Sequence, residues 1–387
     1  MTPSPTPPID PAAPAGQDQP QELPDLVTTD VVDLTQLLCD IPSVSGSEAP
    51  LADAVEAALG RYAHLHVLRS GNTVLARTEL GRAERVVVAG HLDTVPIAAN
   101  LPTRRERGSG GAEVLRGRGT VDMKGGVAVA LHLAAALTEP VRDVTWVFYD
   151  NEEVAADLNG LNRVVSEHPD WLAADFAVLG EPTAAGIEAG CNGSLHVQVR
   201  TRGRAAHSAR AWMGHNAIHE AAQVLTRLAS YEPEHVEVDG LTYVEGLNAV
   251  AITGGIAGNV IPDECTVAVN YRFAPARTQA EALAHVREVF DGLEVDPTDS
   301  SPGARPGLSQ PVAAEFVAAV TAQTGGSVRA KQGWTDVARF TALGVPAVNF
   351  GPGDPLLAHA DDEAVPTEQI RVCTRALRSW LSYTGTT

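Results

Sequence analysis

Lysine is nearly missing from this sequence. Only Lys124 and Lys331 occur, so arginine carries almost all of the positive charge. Acidic residues outnumber basic ones, 48 to 28, for a net charge of −20. A field of that sign repels nucleic acid and anionic membrane surfaces, which argues against both as partners. Cysteine is scarce too: Cys39, Cys191, Cys265 and Cys373 are widely spaced and form no C-x-x-C pair. That usage fits a reduced, cytoplasmic protein better than a disulfide framework. No run reaches the roughly 18 apolar residues of a membrane helix. No basic residue precedes Arg61, so no charged segment introduces an export signal.

What is present is material for a core. Of 387 residues 44% are hydrophobic, room for two domains at about 150 residues each. Residues 1–24 are rich in Pro, Ala, Asp and Gln and read as a disordered tail. From Leu26 the pattern turns regular. "SEAPLADAVEAALGR" has helical spacing and stops at Gly60. "ERVVVAG", "VTWVFYD", "DFAVLG" and "PAVNFG" are short continuous apolar runs, the mark of strands buried on both faces. "GGVAVALHLAAALTE" is a helix apolar nearly all round. Strands alternating with helices predict an α/β fold with a mostly parallel sheet.

The texture then changes. "LHVQVRTRG" alternates like a half-exposed strand, "HNAIHEAAQVLTRLASY" and "TQAEALAHVREVF" are amphipathic helices, and "LNAVAITGG" and "ECTVAVNYRF" read as strands. That order suggests a small α+β, ferredoxin-like domain over residues 192–304, with "DPTDSSPGARPG" as the linker back. The expected layout is one α/β domain, residues 25–191 and 305–387, interrupted by this smaller one.

Acids and histidines gather where the buried strands end. "VVVAGHLDTVP" delivers His91 and Asp93, "WVFYDNEE" delivers Glu152 and Glu153, and "AVLGEPT" delivers Glu181. "AVNFGPGDPLLAHADDE" leads to His359, and Asp122 lies in the loop "RGRGTVDMKGG". A buried carboxylate is costly without a compensating cation. Ligands of open α/β sheets collect at the carboxyl ends of strands, so these groups can converge. Imidazoles mixed with carboxylates bind a pair of divalent ions such as zinc, with cobalt or manganese tolerated by the same set. His215 and His219 are four apart on a predicted helix but lack the H-E-x-x-H order of a zincin.

"GHLDTVP", "GRGTVDMKGG", "YDNEEV", "GEPT" and "AHADDE" together resemble, in order, the blocks of the M20 metallopeptidases and amidohydrolases. The similarity runs from Leu26 onward and is greatest to an actinobacterial branch that desuccinylates a diamino-diacid. The resemblance implies that His91 and Glu181 hold one metal, Glu153 and His359 the other, and that Asp122 bridges them. It makes Asp93 a hydrogen-bond partner of the His91 imidazole, and Glu152 the general base that passes a proton from the attacking water to the departing amine. It also implies a cis peptide before Met123.

In the smaller domain the resemblance assigns His207 to oxyanion stabilisation in a partner's active site, and Asn248 and Arg272 to substrate contact. A homodimer closed by a lid follows from it. After "GEPT" this chain reads "AAGIEAGCNGSL", where better-known proteobacterial relatives carry arginine, so the group that binds the acyl carboxylate stays open. The implied reaction is release of succinate from N-succinyl-LL-2,6-diaminopimelate. The alternatives are an acetylornithine deacetylase, an aminoacylase, a dipeptidase, or a metal-binding relative without turnover.

Overall fold

The computed structural model describes residues 22–108 and 110–382. At its centre is an eight-stranded sheet. The strands run in the order His66–Ser70, Thr73–Arg77, Asp143–Tyr149, Arg85–His91, Phe176–Leu179, Ala347–Asn349, Ile187–Ala189 and Val328–Ala330. The middle strands, from Asp143–Tyr149 to Ala347–Asn349, are mutually parallel, as are the last two strands of the order, Ile187–Ala189 and Val328–Ala330. The valine runs explain the burial. Val86 and Val88 enter the core on one face while Val87 and Ala89 enter the core on the other, as a period of two requires. Burial of each valine contributes about 1.5–3 kcal/mol, so neither face of the sheet is left to solvent.

Helices Val31–Asp40, Ala49–Leu59, Lys124–Ala136, Pro311–Thr324 and Thr367–Ser382 cover the first face. Gly160–Glu167 and Val337–Ala342 cover the second. Helix Lys124–Ala136 lies against the sheet because glycines meet there: a Cβ on Gly126 would sit 2.0 Å from Gly180 O. That approach brings the loop before the helix to the end of strand Phe176–Leu179.

A second, antiparallel sheet has the order Gly246–Gly254, Glu264–Phe273, Gly193–Arg202 and Glu294–Ser301. Strand Glu264–Phe273 alternates between buried and partly exposed positions. Its buried side packs on helices Ala217–Ala229 and Gln279–Val289. Here the sequence misled in one place: "DPTDSSPGARPG", expected to be a linker, begins inside strand Glu294–Ser301, which pairs with Gly193–Arg202. Pro297 is tolerated because the strand is an edge, and the register shifts between Pro297 and Asp299.

The expected disordered tail falls outside the described residues except for 22–24, and there it is corrected. Leu23 is 4% exposed in the core, and its carbonyl accepts from Arg61 Nη2 at 2.8 Å. All four cysteines are free and buried. No helix of the described residues is long and apolar enough to cross a membrane.

Candidate functional site

Register carries the site. His91 pairs with Tyr149, Ala89 with Leu179, and Leu179 with Asn349, so the carboxyl ends of four strands share one edge of the sheet. His91 closes its strand, Glu152 and Glu153 follow Tyr149, Glu181 follows Leu179, and the chain after Asn349 loops to His359. Asp122 comes from the loop before helix Lys124–Ala136, and the Asp122–Met123 peptide is cis, as expected.

Three groups of side chains have ligand atoms within 4.8 Å of one another: His91, Asp122 and Glu181; Asp122, Glu153 and His359; His91, Glu152 and Glu153. Asp122 belongs to the first two. Its Oδ1 is 3.1 Å from His91 Nε2, and its Oδ2 is 3.3 Å from His359 Nε2. His359 Nε2 also lies 2.9 Å from Glu153 Oε1. One carboxylate thus shows a separate oxygen to each imidazole.

The electrostatics are those of acids packed without enough positive charge. Burial pushes Glu181 up to about 7, with Asp122 adding to the rise. Burial also lifts Glu152 well above the usual carboxylate range, against the attraction of His91, and Asp336 and Glu181 add to it. The imidazoles supply positive charge to these acids. Hydrogen bonds to Asp122 and Glu153 raise His359 to about 10. Burial disfavours a charged His91, yet its bonds to Asp122 and Asp93 outweigh this and hold its pKa well above normal.

Asp93 meets both the His91 ring and the backbone of the glutamate pair. His91 Nδ1 lies 3.0 Å from the Asp93 main-chain oxygen and 3.5 Å from Oδ1. The carboxylate accepts from Ser45 Oγ at 2.7 Å and from the N–H groups of Glu152 and Glu153 at 3.0 and 3.1 Å. The glutamate pair does not continue the strand; Asn151 at φ +59° turns the chain first. Asp150, which ends the apolar run, has an ordinary cation: Arg163 Nη2 is 2.5 Å from its Oδ1.

Both lysines of the chain flank this cluster, which the sequence did not reveal. Lys124 is fully buried, donates to Leu38 O and Ile41 O at 3.0 and 2.8 Å, and is lowered to about 8 by burial. Lys331 Nζ lies 3.0 Å from Glu188 Oε2; burial lowers its pKa, but the charges of Glu181 and Glu188 raise it on balance. Their side chains act across long stretches of chain, so no local pattern marks them.

A cleft of about 830 Å³ opens from Glu152 and Glu153 to Ser194, His196 and Arg272 of the antiparallel sheet. Arg272 Nε donates to Asn270 Oδ1 at 3.1 Å, and among the described residues no carboxylate pairs with it. Burial lowers its pKa. Arg339, which also lines the cleft, is paired with Asp336. The segment around Cys191 supplies no cation: Cys191 is buried, and Asn192 Nδ2 donates to Val244 O and Gln332 O. His207 and Asn248 are not brought to the cleft. His207 is exposed and its Nδ1 accepts the N–H of Ala209 at 3.1 Å, while Asn248 lies on strand Gly246–Gly254 opposite Asn270.

Hard oxygen donors and imidazoles, arranged as two groups sharing one carboxylate, fit a pair of divalent cations. A Mycobacterium tuberculosis protein provisionally named succinyl-diaminopimelate desuccinylase is 57% identical over 355 residues, 91% of this chain and 98% of its own. The Corynebacterium glutamicum succinyl-diaminopimelate desuccinylase is 49% identical over 363 residues, 91% and 96% of the two chains. Among solved structures, a Staphylococcus aureus tripeptidase aligns with a TM-score of 0.71 at 20% identity, covering 91% of this chain and 96% of that one. An M20 family metallo-carboxypeptidase from Sulfolobus solfataricus gives 0.71 at 15% identity, covering 92% and 99%. These two establish the fold alone. The model of peptidase family M20/M25/M40 matches residues 87–383, and the chain belongs to that family of hydrolases.

Proposed function

We propose that the chain hydrolyses N-succinyl-LL-2,6-diaminopimelate, adding water across the amide to give succinate and LL-2,6-diaminopimelate. The reading is supported by the 57% and 49% identical relatives that carry this name. The observation that carries the chemistry is Asp122, with one oxygen toward His91 and the other toward His359, beside a cleft lined by Glu152 and Arg272.

In this reading His91, Glu181 and Asp122 hold one divalent cation and Glu153, His359 and Asp122 the other, with zinc the preferred ion and cobalt or manganese able to replace it. Bound there, the pair would polarise the scissile carbonyl and lower the pKa of a water toward neutrality. Glu152 takes the proton that the attacking water loses and delivers it to the amine nitrogen as the amide bond breaks. A carboxyl raised by burial suits both halves of that transfer. Asp93 fixes the Glu152–Glu153 backbone beneath it. Arg272 binds a substrate carboxylate, a contact its planar fork makes in bidentate form.

Residues 192–304 act as the lid and dimerisation domain, and residues 25–191 with 305–387 as the catalytic one. His207 and Asn248 lie away from their own cleft, which supports completion of each site by the second copy of a homodimer. Strand Gly246–Gly254 is an exposed sheet edge with Val250 60% and Ile252 49% exposed, a surface suited to that contact. Unpaired buried thiols and a small-molecule substrate support a cytoplasmic location. The test is product release from N-succinyl-LL-diaminopimelate, N-acetylornithine and a simple dipeptide by the zinc-loaded protein. The succinyl substrate should have the highest kcat/KM. Preference for either of the others would overturn the substrate and leave the amide chemistry standing.

A further inference from the structure

We infer that Glu363 is a positioning residue that sets the shared aspartate and His359 in register, so that cation binding depends on it. The inference rests on the reading that Asp122 and His359 hold cations.

Glu363 is 0% exposed and touches neither the cleft nor the ligand atoms. Both its oxygens are spent on the loop that carries Asp122. Oε1 accepts the N–H groups of Val121 and Asp122 at 2.8 and 3.0 Å. Oε2 accepts the N–H of Gly119 at 3.0 Å and Arg118 Nη1 at 2.9 Å. The grip is mutual, because Gly117 N–H donates to the Glu363 carbonyl at 2.9 Å. Arg118 extends it, donating to Ala360 O at 3.2 Å and to Pro96 O at 3.1 Å.

The same residue lies four positions after His359. That imidazole is 52% exposed at its side chain, so packing does little to hold it. Its place opposite Asp122 Oδ2 follows from where residues 354–363 are anchored, and Glu363 is an anchor shared with the Asp122 loop. One carboxylate therefore ties together two ligand-bearing segments that the sequence separates by more than two hundred residues.

Each oxygen of Glu363 accepts two N–H groups. An amide of the same shape must then face two donors with its own NH₂, whichever way it is turned. Glu363→Gln keeps the volume and removes half of the acceptors, which pushes the Asp122 loop away. A partner that orients a metal ligand is worth about 10–100-fold in affinity. A carboxylate that merely stabilised the fold would leave cation affinity alone.

The experiment is a competitive-chelator titration of the full chain with zinc, repeated with cobalt, whose visible absorption reports ligand geometry. It compares wild type with Glu363→Gln, Asp122→Asn and Asp143→Asn. Asp143 is the control, a buried acid at the far end of the sheet that accepts from Leu80 N–H, Arg82 N–H and Thr78 Oγ1. Its variant should lose thermal stability and keep wild-type affinity. Glu363→Gln should weaken cation binding by about 10–100-fold and alter the cobalt spectrum. Wild-type affinity and spectrum in Glu363→Gln, alongside weak binding by Asp122→Asn, would overturn the positioning role. Wild-type affinity in Asp122→Asn would instead remove the cation reading beneath it. Should Glu363→Gln not fold, Glu363→Asp keeps the charge but draws the oxygens back by one bond. It carries the same test, with a smaller loss expected and wild-type affinity again contradicting the role.

Discussion

The main-chain N–H of Glu152 donates to Asp93 Oδ1 at 3.0 Å. Asp93 thereby controls the backbone of the proposed base as well as the His91 ring, and the neighbouring N–H of Glu153 falls to its other oxygen. Asp93→Asn puts an NH₂ against one of those N–H groups. Turnover should fall about 10–100-fold, as for other groups that orient a site. Steady-state kinetics on metal-saturated protein checks this, and an unchanged kcat would remove Asp93 from the account.

Glu152 offers a sharper separation of roles. Glu152→Gln should lower kcat by about 10²–10⁴-fold, the usual contribution of a general base. Cation content, measured by mass spectrometry of the loaded protein, should stay at the wild-type level. A variant that turns over normally would show that the proton goes elsewhere. One that loses cations instead would make Glu152 a ligand, in keeping with its place beside His91 and Glu153.

Cation uptake should expel protons. At neutral pH, His359 at about 10 is protonated and Glu181 at about 7 is partly so. Those protons occupy the positions a cation needs. Affinity should therefore rise with pH from about 6 up to about 10, because deprotonation of Glu181 and then of His359 precedes binding. Titration of zinc into weakly buffered protein, read with a pH indicator, should show acidification. A pH-independent affinity with no proton release would contradict the assignment of these ligands.

Arg272 lines the cleft, and among the described residues no carboxylate pairs with it. Replacing it by Ala removes charge-assisted hydrogen bonds of about 1.5–3 kcal/mol, or roughly 10–100-fold in kcat/KM. Most of the change should fall on KM if the contact is made equally in ground and transition states. Wild-type KM for the succinyl substrate in Arg272→Ala would send the search to another donor.

The parts legible in the sequence were those written locally. Val86–Val88 and Val144–Phe148 announce buried strands by continuous apolar runs, and the residues just beyond them are the ones that converge. Strand Glu294–Ser301 was lost because an edge strand needs few apolar residues and admits Pro297. Leu23 was lost because one apolar residue in a proline-rich stretch carries no periodicity. Glu363, Lys124 and Lys331 escaped for a different reason: their partners lie in remote segments, and only the folded chain shows which backbone groups they hold.

The central claim is that hydrolysis depends on two cations shared through Asp122. The most direct measurement is titration of the metal-stripped protein with zinc while succinate release from N-succinyl-LL-diaminopimelate is followed. Activity should be absent at the start, rise with added zinc up to two equivalents, and disappear on returning chelator. Full turnover by the stripped protein, or none with both equivalents bound, would contradict the account.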